Sequence, residues 1–247
     1  MNDEKEGFYG EIFQQKSKNI RGIDRSSNPT DRQNPELYKR YKNVTSRIQL
    51  PKPELSQDTQ FWDIISKRHS SRVFSIKPIS MMDLSVLLFG MSGLTRTFPN
   101  FAFRTVPSAG AKFPIEIYPV VNKVSGVEKG IYHYDIQKHE LELLKGGDFG
   151  KSFTDACYDQ RMVKKSAVIF ILTTMVDRTR NTYGERSYRY IYLDCGHIGQ
   201  NLYLAAEALG LNVCVIGRYY DDEINELLGL DENEEFTIYM GVVGKRR

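Results

Sequence analysis

Six consecutive residues, Lys67-Arg68-His69-Ser70-Ser71-Arg72, set three fixed cations, an imidazole and two hydroxyls directly behind a helical stretch. Guanidinium groups grip phosphate oxygens in pairs and short hydroxyls add donors, so this composition on a turn is that of an anion clamp. Taken alone it also reads as a solvated helix end, where basic side chains complement the dipole. A second segment, Arg104-Thr105-Val106-Pro107-Ser108-Ala109-Gly110-Ala111, is a turn of small residues that leaves room for a flat ligand against backbone. Its plainer reading is a Pro/Gly loop. In a third, Tyr183-Gly184-Glu185-Arg186-Ser187-Tyr188-Arg189-Tyr190, Tyr183 is a candidate proton donor, whereas a Glu185–Arg189 pair spaced one helical turn apart is a purely structural alternative. Two other matches fail. Gly150-Lys151-Ser152 resembles the end of a P-loop, but Lys145 stands where its first glycine should be. Asp194 and His197 share a helix face, yet the chain has only four histidines and no second such pair, so no metal is expected.

These residues must be positioned by regular elements, and the longest pattern runs from Tyr183 to Gly217. Ile191, Cys195, Ile198, Leu202, Ala205 and Leu209 recur at steps of three and four, which predicts one long helix with a core face. Gly196, Gly199, Ala205 and Ala206 form a small-residue stripe for close approach of another backbone. Gly210 is placed to end the helix in the left-handed conformation, and Val213 to Ile216 read as the strand that follows. Upstream, Asp58 or Thr59 is expected to cap a helix carrying Phe61, Trp62, Ile64 and Ile65. Ser80 to Asp83 is a capping box ahead of Leu84, Leu87 and Leu88, with Gly90 and Gly93 as stops. Strands are expected at Ile115 to Val121, at a hairpin of Ile131 to Tyr134 with Glu140 to Leu144, centrally at Ala167 to Thr173, and at Phe236 to Val243. Asp221 is expected to cap a short helix stopped by Gly229. Interleaving without βαβ regularity predicts an α+β fold.

Across 247 residues, 40% hydrophobic and 26% charged content is enough for a full core. A net charge of +3 is too small to imply nucleic acid or an anionic membrane as partner. Cys157, Cys195 and Cys214 form an odd set without CxxC spacing, which argues against disulfides and zinc and fits buried thiols in a reducing cytoplasm. No run of about 18 apolar residues or signal-like segment occurs, so neither membrane spanning nor secretion is expected. Residues 1 to about 56 are polar and broken by Pro29, Pro35, Pro51 and Pro53, reading as an arm that Phe8, Tyr9, Ile12, Phe13, Leu37, Tyr38 and Tyr41 pin to the body or to a second subunit.

Together these stretches resemble the FMN-dependent nitroreductase superfamily and, within it, the SagB-type dehydrogenases that oxidise thiazoline and oxazoline rings in modified peptides. The resemblance covers nearly the whole chain. It is most specific from Tyr183-Gly184-Glu185-Arg186 through Gly196-His197-Ile198-Gly199-Gln200-Asn201 to Leu209-Gly210-Leu211. Arg68-His69-Ser70-Ser71-Arg72 matches the opening signature, which implies that Arg68, Ser70 and Arg72, with His69 beside them, hold the FMN phosphate and ribityl chain. Pro107-Ser108-Ala109-Gly110-Ala111 with Pro114, Glu116 and Tyr118 is similar to the segment that lies near the flavin. Backbone N–H groups at Ile216, Gly217 and Arg218 are implied to face flavin N5 and O4, although relatives often have Glu-Gly there. Arg247 is a further implied phosphate contact at the C-terminus. Azoline-oxidising members carry a Lys-Tyr pair credited with proton handling; this chain keeps Tyr183 but has Thr182 in place of the lysine.

The resemblance implies an extension over residues 1–56 and a nitroreductase-like FMN-binding domain over 57–247. The expected architecture is a central, mainly antiparallel sheet flanked by helices, in a cytoplasmic homodimer with FMN at the interface. The implied activity is two-electron transfer through FMN on a small-molecule or peptide-heterocycle substrate. Alternatives are an NAD(P)H-dependent nitro or quinone reductase and a catalytically impaired flavin-binding partner subunit.

Overall fold

The computed structural model describes residues 8–21, 36–55, 60–98 and 101–247. The chain begins with α1 (Tyr9–Lys16), β1 (Ser46–Gln49), α2 (Phe61–Lys67) and α3 (Met81–Ser92), then a hairpin of β2 (Leu94–Thr97) and β3 (Ala102–Arg104). It continues through β4 (Ile115–Val121), β5 (Gly130–Asp135), β6 (Glu140–Gly146), α4 (Gly150–Ala156), α5 (Met162–Lys165), β7 (Val168–Met175) and α6 (Asp177–Tyr183). Last come α7 (Ser187–Ala208), β8 (Leu211–Ile216), α8 (Asp221–Leu228) and β9 (Glu235–Lys245).

Seven strands form one sheet in the order β1-β6-β5-β4-β7-β9-β8, and every pairing in it is antiparallel. Side chains alternate between the two faces of each strand, so each face needs its own apolar cover. On one face, Ile117, Val121, Phe170 and Val213 pack with Leu84, Leu87, Ile191, Ile198 and Leu202 of α3 and α7. On the other, Tyr118, Ile169, Ile171 and Val242 pack with Phe153, Val163, Ile224 and Leu228 of α4, α5 and α8. The expected α+β sandwich of helices about a mainly antiparallel sheet is therefore present.

The capping box at α3 forms in full: Asp83 N donates to Ser80 Oγ at 3.0 Å and Ser80 N donates to Asp83 Oδ2 at 2.9 Å. Gly93 follows this helix as expected, but Gly90 lies within it, where an added Cβ would stand 3.1 Å from Ala205 Cβ. That glycine lets α3 close on α7. The small-residue stripe of α7 consequently serves several neighbours. Gly199 lies against the Tyr239 ring, Ala205 against Gly90, and only Gly196 has open space beside it.

Three boundaries differ from expectation. The long helix does not begin at Tyr183: Gly184, at φ 53 and ψ −139, ends α6, and a single 3₁₀ turn over Gly184–Arg186 leads into α7. Such a backbone conformation is accessible to glycine and costly for other residues. Tyr220, not Asp221, caps α8, leaving Asp221, Asp222 and Glu223 in the first turn, where carboxylates complement the dipole. The caps expected at Asp58 or Thr59 lie outside the described residues; α2 opens at Phe61 and buries none of its side chains.

Described parts of the expected arm are built into the body, although Phe8 and Tyr9, expected to pin it, stand exposed on it. β1 pairs with β6 as an edge strand of the sheet, and Leu50 is buried in the core. Ser17 is buried against Arg186 and Arg189, and Phe13 meets the Tyr188 ring edge-on. Arg189 thus spends its guanidinium on Ser17 Oγ at 2.8 Å and Gln14 O at 2.6 Å rather than on Glu185.

Candidate functional site

The cation-rich segment lies along the outer edge of β8. Ser71 N donates to Val213 O at 2.8 Å, and Asn212 Nδ2 donates to Val73 O at 2.7 Å, so residues 70–73 are fastened to that strand. Ser70 Oγ and Tyr203 Oη share a hydrogen bond of 2.7 Å, and Val215 N donates to the same phenol oxygen at 3.2 Å. The Arg68 guanidinium stands 5.1 Å from the centre of the Tyr203 ring. Arg72 reaches Cys214 closely enough that its charge opposes the upward push of burial on that thiol. His69, exposed, donates Nδ1–H to Lys67 O at 2.9 Å, which turns its ring back on its own loop. Among the described residues neither Arg68 nor Arg72 pairs with a carboxylate, while Lys67 pairs with Asp63 and Arg246 with Glu207. Two uncompensated guanidinium groups beside a hydroxyl are a fitting donor set for a phosphate dianion.

The same strand ends at the second expected feature. Ile216 is buried under the sheet, while Gly217 and Arg218 emerge exposed from the strand end. An added Cβ at Gly217 would meet only Tyr239, at 3.9 Å. Val213 and Gly217 are four residues apart, about 13 Å along an extended strand. Clamp and exposed backbone therefore share one rigid edge. Arg247 lies exposed beyond the end of β9.

The small-residue turn gathers at the first half of α7 instead. Ser108 Oγ donates to Asp194 Oδ2 at 2.5 Å and accepts from Phe113 N at 2.9 Å, while Ala109 N donates to Asp194 Oδ1 at 3.3 Å. Burial raises the pKa of Asp194, and these hydrogen bonds act against it. Asp194 thereby anchors the turn. The hydroxyl of Ser108 is spent on that anchor, so the turn offers its backbone outward, with Pro107, Gly110 and Ala111 exposed. Between Ser92, Arg104, Ser108, Phe113 and Asp194 remains a cavity of about 10 Å³, room for a single water. A flat ring cannot enter there.

Tyr183 reaches the same turn from α6. Gly110 has φ 58, and a Cβ there would collide with the Tyr183 hydroxyl. Ala111 and Phe113 also take positive φ, of 51 and 45. Three left-handed residues in four make this a strained turn held by its surroundings. The Tyr190 ring packs against Tyr183 at 4.8 Å, fixing the phenol over Gly110. Asp194 and Tyr203 are nine residues apart on α7, about 13 Å of rise, which separates this turn from the cation clamp.

A buried polar network behind the turn escaped sequence reasoning. Arg178 Nη1 donates to Glu116 Oε1 at 2.6 Å and to Phe113 O at 3.1 Å, and its Nε donates to Glu36 O at 2.8 Å. His133 bridges Glu116 and Glu142 with 3.0 Å contacts from its two ring nitrogens. Burial alone would lift the Glu116 pKa, but Arg178, His133 and Arg104 bring it down to about 2. Burial would also lower the His133 pKa, yet its two carboxylates raise it above the ordinary value. Lys39 pairs with Glu235, and Tyr118 Oη donates to Glu235 Oε1 at 2.9 Å. A signal was available, since Glu116, His133 and Glu142 all stand where neighbouring strands expect apolar residues.

The Nitroreductase family profile matches residues 65–245. A protein of Methanocaldococcus jannaschii, MJ1384, provisionally named a nitroreductase, is 35% identical over 202 residues, covering 82% of this chain and 98% of that one. The trifolitoxin-processing protein TfxB of Rhizobium leguminosarum bv. trifolii is 35% identical over 133 residues, 52% of this chain and 36% of TfxB. The chain thus spans only about a third of that relative's length. A crystal structure from Anabaena variabilis, also provisionally named a nitroreductase, superposes with a TM-score of 0.71 at 28% identity, over 82% of this chain and 42% of that one.

Proposed function

The chain belongs to the nitroreductase family, and from that premise we propose that it is an FMN-dependent oxidoreductase acting as a homodimer, of the SagB-type dehydrogenase kind. The observation that carries this reading is the pair of cations Arg68 and Arg72, without a carboxylate partner among the described residues, with Ser70 on the edge of the strand whose exposed end is Gly217-Arg218. Arg68, Ser70 and Arg72 would hold the phosphate, and the backbone at Ile216, Gly217 and Arg218 would face the ring edge. His69 would shape that loop, and Arg247 would add charge from the C-terminus. FMN, when bound, supplies the two-electron chemistry.

The rest falls to the chain. Pro107, Ala109 and Gly110 present backbone outward on a turn that Ser108 locks to Asp194, which would form one wall of a flat slot. Because that turn lies about 13 Å of helix away from the clamp, a second copy of the chain would bring its own turn to the slot. Tyr183 is the group placed to pass a proton at its phenol oxygen. Thr182 has no titrating group near neutral pH, so the proton route of the azoline oxidisers would be altered here. Similarity to a trifolitoxin-processing protein supports a peptide or peptide-derived substrate. Residues 57–247 would form the flavin domain and residues 1–56 its extension, and three buried free thiols fit a reducing cytoplasm.

The test is the visible absorption spectrum of the purified protein, before and after adding FMN and then NADPH without air. Flavin bands that persist in NADPH are expected of a dehydrogenase reduced by its own substrate. Bleaching would instead identify a nitro or quinone reductase drawing on NAD(P)H. Bound flavin without redox turnover, in a stable complex with another chain, would instead identify a catalytically impaired partner subunit. Failure to take up FMN would overturn the site altogether.

A further inference from the structure

Beyond the flavin contacts, the end of β8 carries a second constellation. Arg218 leaves the strand exposed, and its guanidinium lies 4.4 Å from the centre of the Tyr158 ring. Tyr158 in turn stacks on Tyr220, with centroids 4.1 Å apart and planes at 21°. Each ring keeps about two-fifths of its surface exposed.

This arrangement is built rather than incidental. Tyr158 and Asp159 both hold left-handed backbone, at φ 54 and 56, which is costly for residues with side chains. Gln160 Nε2 ties the turn to the strand end by donating to Cys157 O at 2.9 Å and to Arg218 O at 3.0 Å. Tyr220 N donates to Ala156 O at 2.8 Å and closes the loop from the other side. A guanidinium on an aromatic face is held in place without losing its charge. Among the described residues, no carboxylate pairs with Arg218. Its cationic edge and two adjacent phenol hydroxyls remain available together.

We propose that Arg218, Tyr158 and Tyr220 form a recognition site for an anionic group, a carboxylate or a phosphate, on the molecule that exchanges electrons with the flavin. The inference rests on the proposed function for the place of the flavin ring, but the site consists of this chain's own side chains. A flat anion would lie against the tyrosine pair and set its charge on the guanidinium. Two sources share that chemistry: the carboxylate of a substrate and the 2′-phosphate of a nicotinamide donor.

Calorimetric titration of the flavin-saturated protein separates them, with benzoate against benzamide as one pair and NADPH against NADH as the other. One anionic member should bind at least about tenfold more tightly than its partner, and that preference should disappear in Arg218→Gln and partly survive in Arg218→Lys. The benzoate pair responding identifies a carboxylate substrate, and the nucleotide pair a phosphate. No preference in either pair, or a preference that persists in Arg218→Gln, overturns the proposal. Flavin uptake is recorded first on the same samples by absorbance, so loss of the flavin reading is seen separately. The same titrations on flavin-free protein then decide whether the anion site stands without it.

Discussion

At Gly110 the left-handed backbone that Ala111 and Phe113 also adopt meets a second constraint. Its φ of 58 disfavours any side chain, and the space where a Cβ would sit is filled by the Tyr183 hydroxyl. Gly110→Ala should therefore cost about 1–3 kcal/mol, from backbone strain and from displacement of the phenol. Thermal denaturation should show a midpoint lower by several degrees. If Tyr183 is the proton partner, turnover of the flavin-loaded protein should fall further than FMN affinity, because Gly110 lines the slot while the cations at Arg68 and Arg72 stand along the edge of β8. An unchanged midpoint would mean that the turn relaxes freely and does not position Tyr183.

Elements are joined here by charge as well as by apolar packing. Arg178 on α6 links the arm through Glu36 O, β4 through Glu116 and the small-residue turn through Phe113 O. Across the sheet, His133 on β5 joins β4 to β6. The folded pKa of His133 is raised, so its contribution is complete below the ordinary 6.5 and is lost as pH rises through the folded value. Glu116 and Glu142 are lowered, so their contributions are present above the ordinary 4.5 and fade as pH falls, for Glu116 towards about 2. His133→Gln should thus destabilise by about 1–3 kcal/mol near pH 6 and by clearly less near pH 9. Denaturant titrations at the two pH values check this; a pH-independent difference would show that His133 acts as a neutral hydrogen-bond donor.

For the whole molecule, the unusual surface lies on α2 and the outer side of α7. Trp62 is 76% exposed, Phe61 56% and Leu193 59%, with Tyr192 and the open Gly196 beside Leu193 on the helix. Large apolar side chains exposed on two neighbouring helices of a folded chain are the mark of an association surface. Trp62→Glu combined with Leu193→Glu should convert the proposed dimer into a monomer in sedimentation experiments and weaken flavin retention in step. A dimer that survives both charges would place the interface elsewhere.

Much of this was legible along the chain because it depends on neighbours in sequence. The capping box at Ser80, the left-handed stop at Gly210, the apolar run from Ala167 to Thr173 that forms β7 and the clustered cations at Arg68 to Arg72 are local statements about backbone and side-chain chemistry. The break at Gly184 was hidden because a helical period runs through it and only the fold requires the turn. Likewise, Ser108 reads as a free hydroxyl until α7 brings Asp194 against it, 86 residues further on. The sequence by itself determined most of the elements, the family likeness and the cationic composition of one loop. Tertiary structure alone decided which polar groups are spent on each other and which stay available, because that depends on desolvation and on partners distant in the chain.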